Sequence, residues 1–107
     1  NKPPTIVDMH CDHPVIELFG STACHVSAVD PEGAPLYYLW LADAPQMVND
    51  RQKDAIYYAA WGIGGGKMRV GIVVYVSDRE SFRIDDPDVA SAETQVEVRS
   101  LDAASVP

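Results

Sequence analysis

The feature that most constrains this chain is the run over residues 67–76, where Met68, Val70, Ile72, Val74 and Val76 fall in one phase and Val73 and Tyr75 in the other. A period of two in β-branched residues describes a strand with one face against a core, so the Met68 to Val76 phase is expected inward. Helical spacing is hard to find elsewhere. Short runs rich in Val, Ile, Tyr and Thr recur between Gly, Pro and Asp punctuation, the pattern of consecutive antiparallel strands, and the chain reads as all-β.

Residues 5–11 form an expected first strand, with a continuation over 14–18 after a break at Asp12-His13-Pro14, where proline suits an edge. The second strand, 21–29, alternates Cys24, Val26 and Ala28 with Ala23, His25 and Ser27. Asp30-Pro31-Glu32-Gly33 has the proline and glycine positions of a type I turn and leads to a third strand over 36–42, apolar on both sides. Residues 54–61 read as a further strand, with a short helix inside 45–60 as the competing assignment. Gly62-Ile63-Gly64-Gly65-Gly66 is expected to be a hairpin-like loop, and residues 90–101 a last strand with Val96 and Val98 inward.

At 107 residues the chain has the size of one domain. Asn1-Lys2-Pro3-Pro4 and residues 102–107 read as linkers, which makes 1–107 a single module of a larger exported protein. Sixteen acidic residues against eight basic ones give a formal charge of −8, with no Lys/Arg cluster to meet phosphates, so nucleic acid is not an expected partner. No run approaches the roughly 20 apolar residues of a membrane span, and membrane insertion is not expected.

The stretch Ala28-Val29-Asp30-Pro31-Glu32-Gly33-Ala34-Pro35-Leu36-Tyr37-Tyr38-Leu39-Trp40 resembles the turn and third strand of PKD-like and cadherin-like extracellular repeats of bacteria and archaea. Residues 70–78, ending Val76-Ser77-Asp78, resemble their late strand, and the opening Asn-x-Pro-Pro and closing alternation of Val extend the likeness over nearly the whole chain. The resemblance implies an immunoglobulin-like antiparallel β-sandwich of about seven strands, an extracellular, cell-surface or periplasmic location, and a role in spacing, adhesion or attachment. Such repeats usually carry an acidic residue where this chain has Ala34, and usually lack cysteine. Cys11 and Cys24 fit one disulfide in an oxidising compartment, with two free thiols as the cytosolic alternative.

No nucleophile motif surrounds Ser21 or Ser27, and the glycine run before Lys67 fails the phosphate-loop pattern, with Trp61 at the first glycine position and Met68 at the hydroxyl, so no enzyme is expected and no catalytic residue is named. His10-Cys11-Asp12-His13 lines up metal-ligand types, but neighbours on a strand face opposite ways and do not close one tetrahedral shell. Asp30, Glu32, Asp78, Asp85, Asp86 and Asp88 are the candidate calcium ligands, set in loops that a sandwich could bring together, although no Asp-x-Asp-x-Asp-Gly spacing occurs. Tyr57 and Trp61 are the candidate stacking platforms for a carbohydrate. Trp40 is expected to centre the core. Tyr37, Leu39, Leu41, Val73 and Tyr75 are expected to share the outer face of one sheet as an apolar patch that docks a protein neighbour, unless residues 45–54 fold over it.

Overall fold

The computed structural model describes residues 3–43, 46–59 and 66–100. Within them the chain forms eight strands and no helix: β1 (Thr5–Cys11), β2 (Val15–Glu17), β3 (Ser21–Val29), β4 (Tyr37–Ala42), β5 (Met47–Val48), β6 (Asp54–Tyr58), β7 (Gly66–Ser77) and β8 (Ala90–Ser100). They make two four-stranded sheets, ordered β1-β3-β6-β5 and β2-β8-β7-β4, which pack as a β-sandwich. The helix that competes for residues 45–60 is displaced by pairing: β6 joins β3 and β5, and Ala55, Tyr57 and Ala59 are buried in a period of two. Burial of alternate side chains outweighs the helical propensity of the polar stretch before them.

The middle of the core is β7. Val70, Ile72, Val74 and Val76 are all fully buried, and the strand is paired on one side with β4 and on the other with β8. Val96 and Val98 of β8 point inward as expected, and Cys24, Val26 and Tyr57 close the core from the opposite sheet. Trp40 is the largest fully buried side chain. Its indole Nε1–H donates to the Gln52 carbonyl at 2.8 Å, and its backbone N–H donates to the Asp50 carbonyl at 2.8 Å. Since β4 is the edge of its sheet, the backbone of residues 50–52 thereby satisfies and covers part of an otherwise open edge.

Several features depart from the sequence expectations. The sandwich has eight strands, counting two very short ones, and one pairing is parallel: β2 runs beside β8 with Val15↔Glu97, Ile16↔Val98 and Glu17↔Arg99 in register. The break at Asp12-His13-Pro14 takes the chain off the edge of one sheet and onto the edge of the other, so β1 and its continuation belong to different sheets and Ile16 becomes part of the core. β6 and β7, the strands either side of the glycine run, lie in opposite sheets and do not pair with each other. Residues 62–65 of that run, like the expected C-terminal linker at 102–107, lie outside the described residues. At the other end Pro4 is already buried, so packing begins inside the segment read as a linker.

Candidate functional site

The antiparallel register of β4 and β7 sets Leu39 opposite Tyr75 and Leu41 opposite Val73, with Tyr37 one step further along. All five side chains therefore stand on the outer face of the β2-β8-β7-β4 sheet, where Leu41 is 40% exposed and the others are half-buried. Residues 46–53 do not lie across this face as a lid; β5 joins the other sheet, and the backbone beyond it reaches the edge at Trp40. Glu93 and Ser91 flank the stripe on β8. At the Val73 end is a shallow depression of about 350 Å³, floored by Gly71 and rimmed by Asp43, Glu93 and Gln95. Asp43 Oδ2 accepts the Gly71 N–H at 3.0 Å, and a Cβ on Gly71 would stand 2.7 Å from that oxygen, so the contact requires glycine. At the Tyr37 end a second depression of about 230 Å³ is lined by Tyr37, Tyr38, Arg51 and Glu80.

The six loop acids are not gathered into one cluster. Asp30 Oδ2 accepts the backbone N–H groups of Glu32 and Ala34 at 2.8 and 2.9 Å, so this carboxylate holds its own turn. Asp86 accepts the Arg83 N–H at 3.0 Å, Asp86 and Asp88 share the Arg79 guanidinium, and Asp85 lies 3.7 Å from Arg83. For Asp85, Asp86 and Asp88, these arginines supply positive charge where the calcium reading places an ion.

Tyr57 is fully buried and cannot present a ring face to a sugar; Trp61 lies outside the described residues. The cause is phase, because Tyr57 shares the inward face of β6 with Ala55. Its hydroxyl has no hydrogen-bond partner among the described residues, and burial pushes the phenol above its ordinary pKa. Tyr57→Phe is accordingly expected to leave the denaturation midpoint unchanged or slightly higher, within about 1 kcal/mol, because it removes a desolvated hydroxyl that gains nothing in return. Urea unfolding checks this, and a loss of more than about 2 kcal/mol would show that the hydroxyl is bonded after all.

On the outer face of the other sheet lies a constellation that reading along the sequence missed. Cys11 and Cys24 are joined by a disulfide and sit opposite each other in the β1–β3 ladder. The bridge marks an oxidising, non-cytoplasmic compartment. No helix among the described residues is long and apolar enough to cross a membrane. The same register sets His10 opposite His25. Alternation does separate His10 from Cys11, as expected, but it also puts His10 and Asp12 on one face, and the third member arrives across the strand pair. His25 Nε2 lies 3.1 Å and His10 Nε2 3.8 Å from Asp12 Oδ1. The other ring nitrogens are held by further carboxylates, His10 Nδ1 by Asp8 at 2.7 Å and His25 Nδ1 by Asp54 at 2.8 Å.

The hydrogen bond to Asp54, and after it the one to Asp12, holds His25 above its ordinary pKa. One donor atom from each of His10, Asp12 and His25 lies within 4.8 Å of the others, the one such group of His, Cys, Asp or Glu side chains among the described residues. His13 is apart from it, its backbone N–H bonded to Thr22 Oγ1. Sequence order alone does not give this meeting; once the ladder is known to pair Cys11 with Cys24, the residue before one must oppose the residue after the other.

No protein-family model matches the chain, and no curated protein matches it. It is similar to a solved structure. That structure is a nucleoside hydrolase-related hypothetical protein from Saccharophagus degradans that is associated with carbohydrate metabolism, with a TM-score of 0.53 and 14% identity. The match covers 94% of this chain and 26% of that one, so the chain spans about a quarter of its length, and the likeness is one of fold alone.

Proposed function

We propose that the chain is a non-catalytic, immunoglobulin-like structural module of an extracellular or cell-surface protein, and that the outer face of β4 and β7 docks a sister domain of the same polypeptide. The observation that carries this reading is the contiguous row of Tyr37, Leu39, Leu41, Val73 and Tyr75 on one sheet face, which solvent-facing sheets normally fill with polar side chains. The strand orders β1-β3-β6-β5 and β8-β7-β4 correspond to the ABED and GFC orders of immunoglobulin-type sandwiches, with β2 added beside the last strand, in line with the PKD-like and cadherin-like resemblance. A sister domain is favoured as the occupant because the similar solved structure is a chain of which such a sandwich is only 26%.

Hydroxyl-radical footprinting tests the proposal. In the natural polypeptide that carries this segment, Tyr37, Leu39 and Tyr75 should oxidise several-fold more slowly than in the 107-residue chain. Leu39→Lys should abolish that protection while changing the stability of the module by about 0.5 kcal/mol or less, since the side chain is half-buried on an outer face. Equal oxidation in the two contexts would sink the docking reading.

A second reading, carbohydrate binding, is favoured by the depression where Tyr37 and Tyr38 meet Arg51 and Glu80, a pairing of aromatic surface with hydrogen-bonding groups that suits a sugar ring. Protection of Tyr37 by added polysaccharide, with Tyr75 unaffected, would favour it over docking.

A further inference from the structure

We propose that His10, Asp12 and His25 form a binding site for a borderline transition-metal dication of the zinc and copper class on the outer face of the β1-β3-β6-β5 sheet. Three observations converge on it.

The first is spacing. Ligands about 2.0–2.1 Å from a tetrahedral ion stand about 3.3 Å from one another. The Nε2 atoms of His25 and His10 lie 3.1 and 3.8 Å from Asp12 Oδ1, and the three donor atoms span no more than 4.8 Å, so side-chain rotations that move a donor by at most about 1.5 Å bring the set to tetrahedral spacing.

The second is the orientation of the imidazoles. A histidine that ligates through one nitrogen almost always gives its other N–H to a carboxylate or carbonyl, which fixes ring and tautomer and makes the free nitrogen a better donor. Here both rings have that arrangement: Asp8 holds His10 Nδ1 at 2.7 Å and Asp54 holds His25 Nδ1 at 2.8 Å, which directs both Nε2 atoms toward Asp12. Three carboxylates around the two imidazoles also supply negative charge that a dication offsets.

The third is preorganisation. The Cys11–Cys24 bridge adjoins the His10–His25 pair in the ladder, and a slip of one residue would send one of the histidines into the core. The bridge therefore holds the two ligand-bearing strands in the one register that builds the site.

Two imidazoles and one carboxylate select against calcium and magnesium, which prefer shells made of oxygen. Three protein ligands leave a fourth position for water or for a donor from a partner surface. The site is independent of the β4–β7 face and stands or falls separately from the docking reading.

Isothermal titration of chelator-treated 107-residue chain at about pH 7.5, above the ordinary histidine value, tests the assignment. The expected result is one ion per chain for Zn²⁺ and for Cu²⁺, with Cu²⁺ the tighter of the two and no heat from Ca²⁺. His10→Ala and His25→Ala should each weaken Zn²⁺ at least about tenfold, and Asp54→Ala about 10- to 100-fold through the loss of ring positioning. Asp86→Asn, in the β7–β8 loop, should leave it unchanged. A measurement on the unaltered protein guards against misfolded variants: in long-range ¹H–¹⁵N spectra, Zn²⁺ should shift the Nε2 resonances of His10 and His25 and leave those of His13 in place. No Zn²⁺ binding, binding that survives both histidine substitutions, or equal shifts at all three histidines would overturn the proposal.

Discussion

Trp40→Ala should lower the unfolding free energy by about 3–5 kcal/mol and the melting temperature by on the order of 20 °C. The side chain is fully buried on β4, opposite Val74 in the ladder, so truncation removes the largest apolar volume in the core and leaves a cavity between two sheets whose spacing is set by their other side chains. A domain of this size is held by about 5–15 kcal/mol in total, so the loss is a large share of its stability. Trp40→Phe separates the contributions. It keeps most of the burial and gives up the Nε1–H bond to the Gln52 carbonyl, and should cost about 1–2 kcal/mol. Thermal and urea denaturation followed by circular dichroism distinguish the two. A drop of only a few degrees for Trp40→Ala would place the centre of the core elsewhere.

Replacing the disulfide with alanines, Cys11→Ala together with Cys24→Ala, should remove about 2–4 kcal/mol. The bridge spans a sequence separation of 13 and closes the unfolded chain into a loop, and it also anchors a weakly packed edge. β1 is at the border of its sheet, no residue of it is fully buried, Val7 is 66% exposed, and its register shifts between Ile6 and Asp8. Without the bridge, β1 should open independently of the rest, so amide exchange should accelerate over Thr5–Cys11 well before it does over β7. Reductant should lower the midpoint of the unaltered protein to that of the double variant and have no effect on the variant itself. Uniform acceleration through both sheets would instead mean that the bridge secures the whole sandwich and not its edge.

Strong period-two segments were legible from the sequence. The Met68 to Val76 phase turned inward because β7 is long and apolar on that side, and Val96 and Val98 followed for the same reason. The partnership of β4 with β7 was expected through the immunoglobulin-like resemblance, in which those strands pair, and the ladder has it. Tyr57 was misplaced because the run read as a strand over 54–61 carries aromatic residues in both phases, and a tyrosine is at home on either side. That Asp86 and Asp88 share an arginine was not legible, because charge along the chain does not reveal which acids have arginines within reach; Arg79 reaches both only when the loop doubles back.

The sequence by itself determined that the chain is all-β, which residues fill the middle of its core, and that residues 30–33 turn, because each depends on neighbours within a few positions. Tertiary structure alone decided that Asp12-His13-Pro14 passes the chain between sheets and that Val15–Glu17 runs parallel to the last strand. It also decided that His10, Asp12 and His25 meet. Contacts of that kind depend on strand order and register, which are set by how two sheets bury their faces together, and no local stretch of residues encodes them.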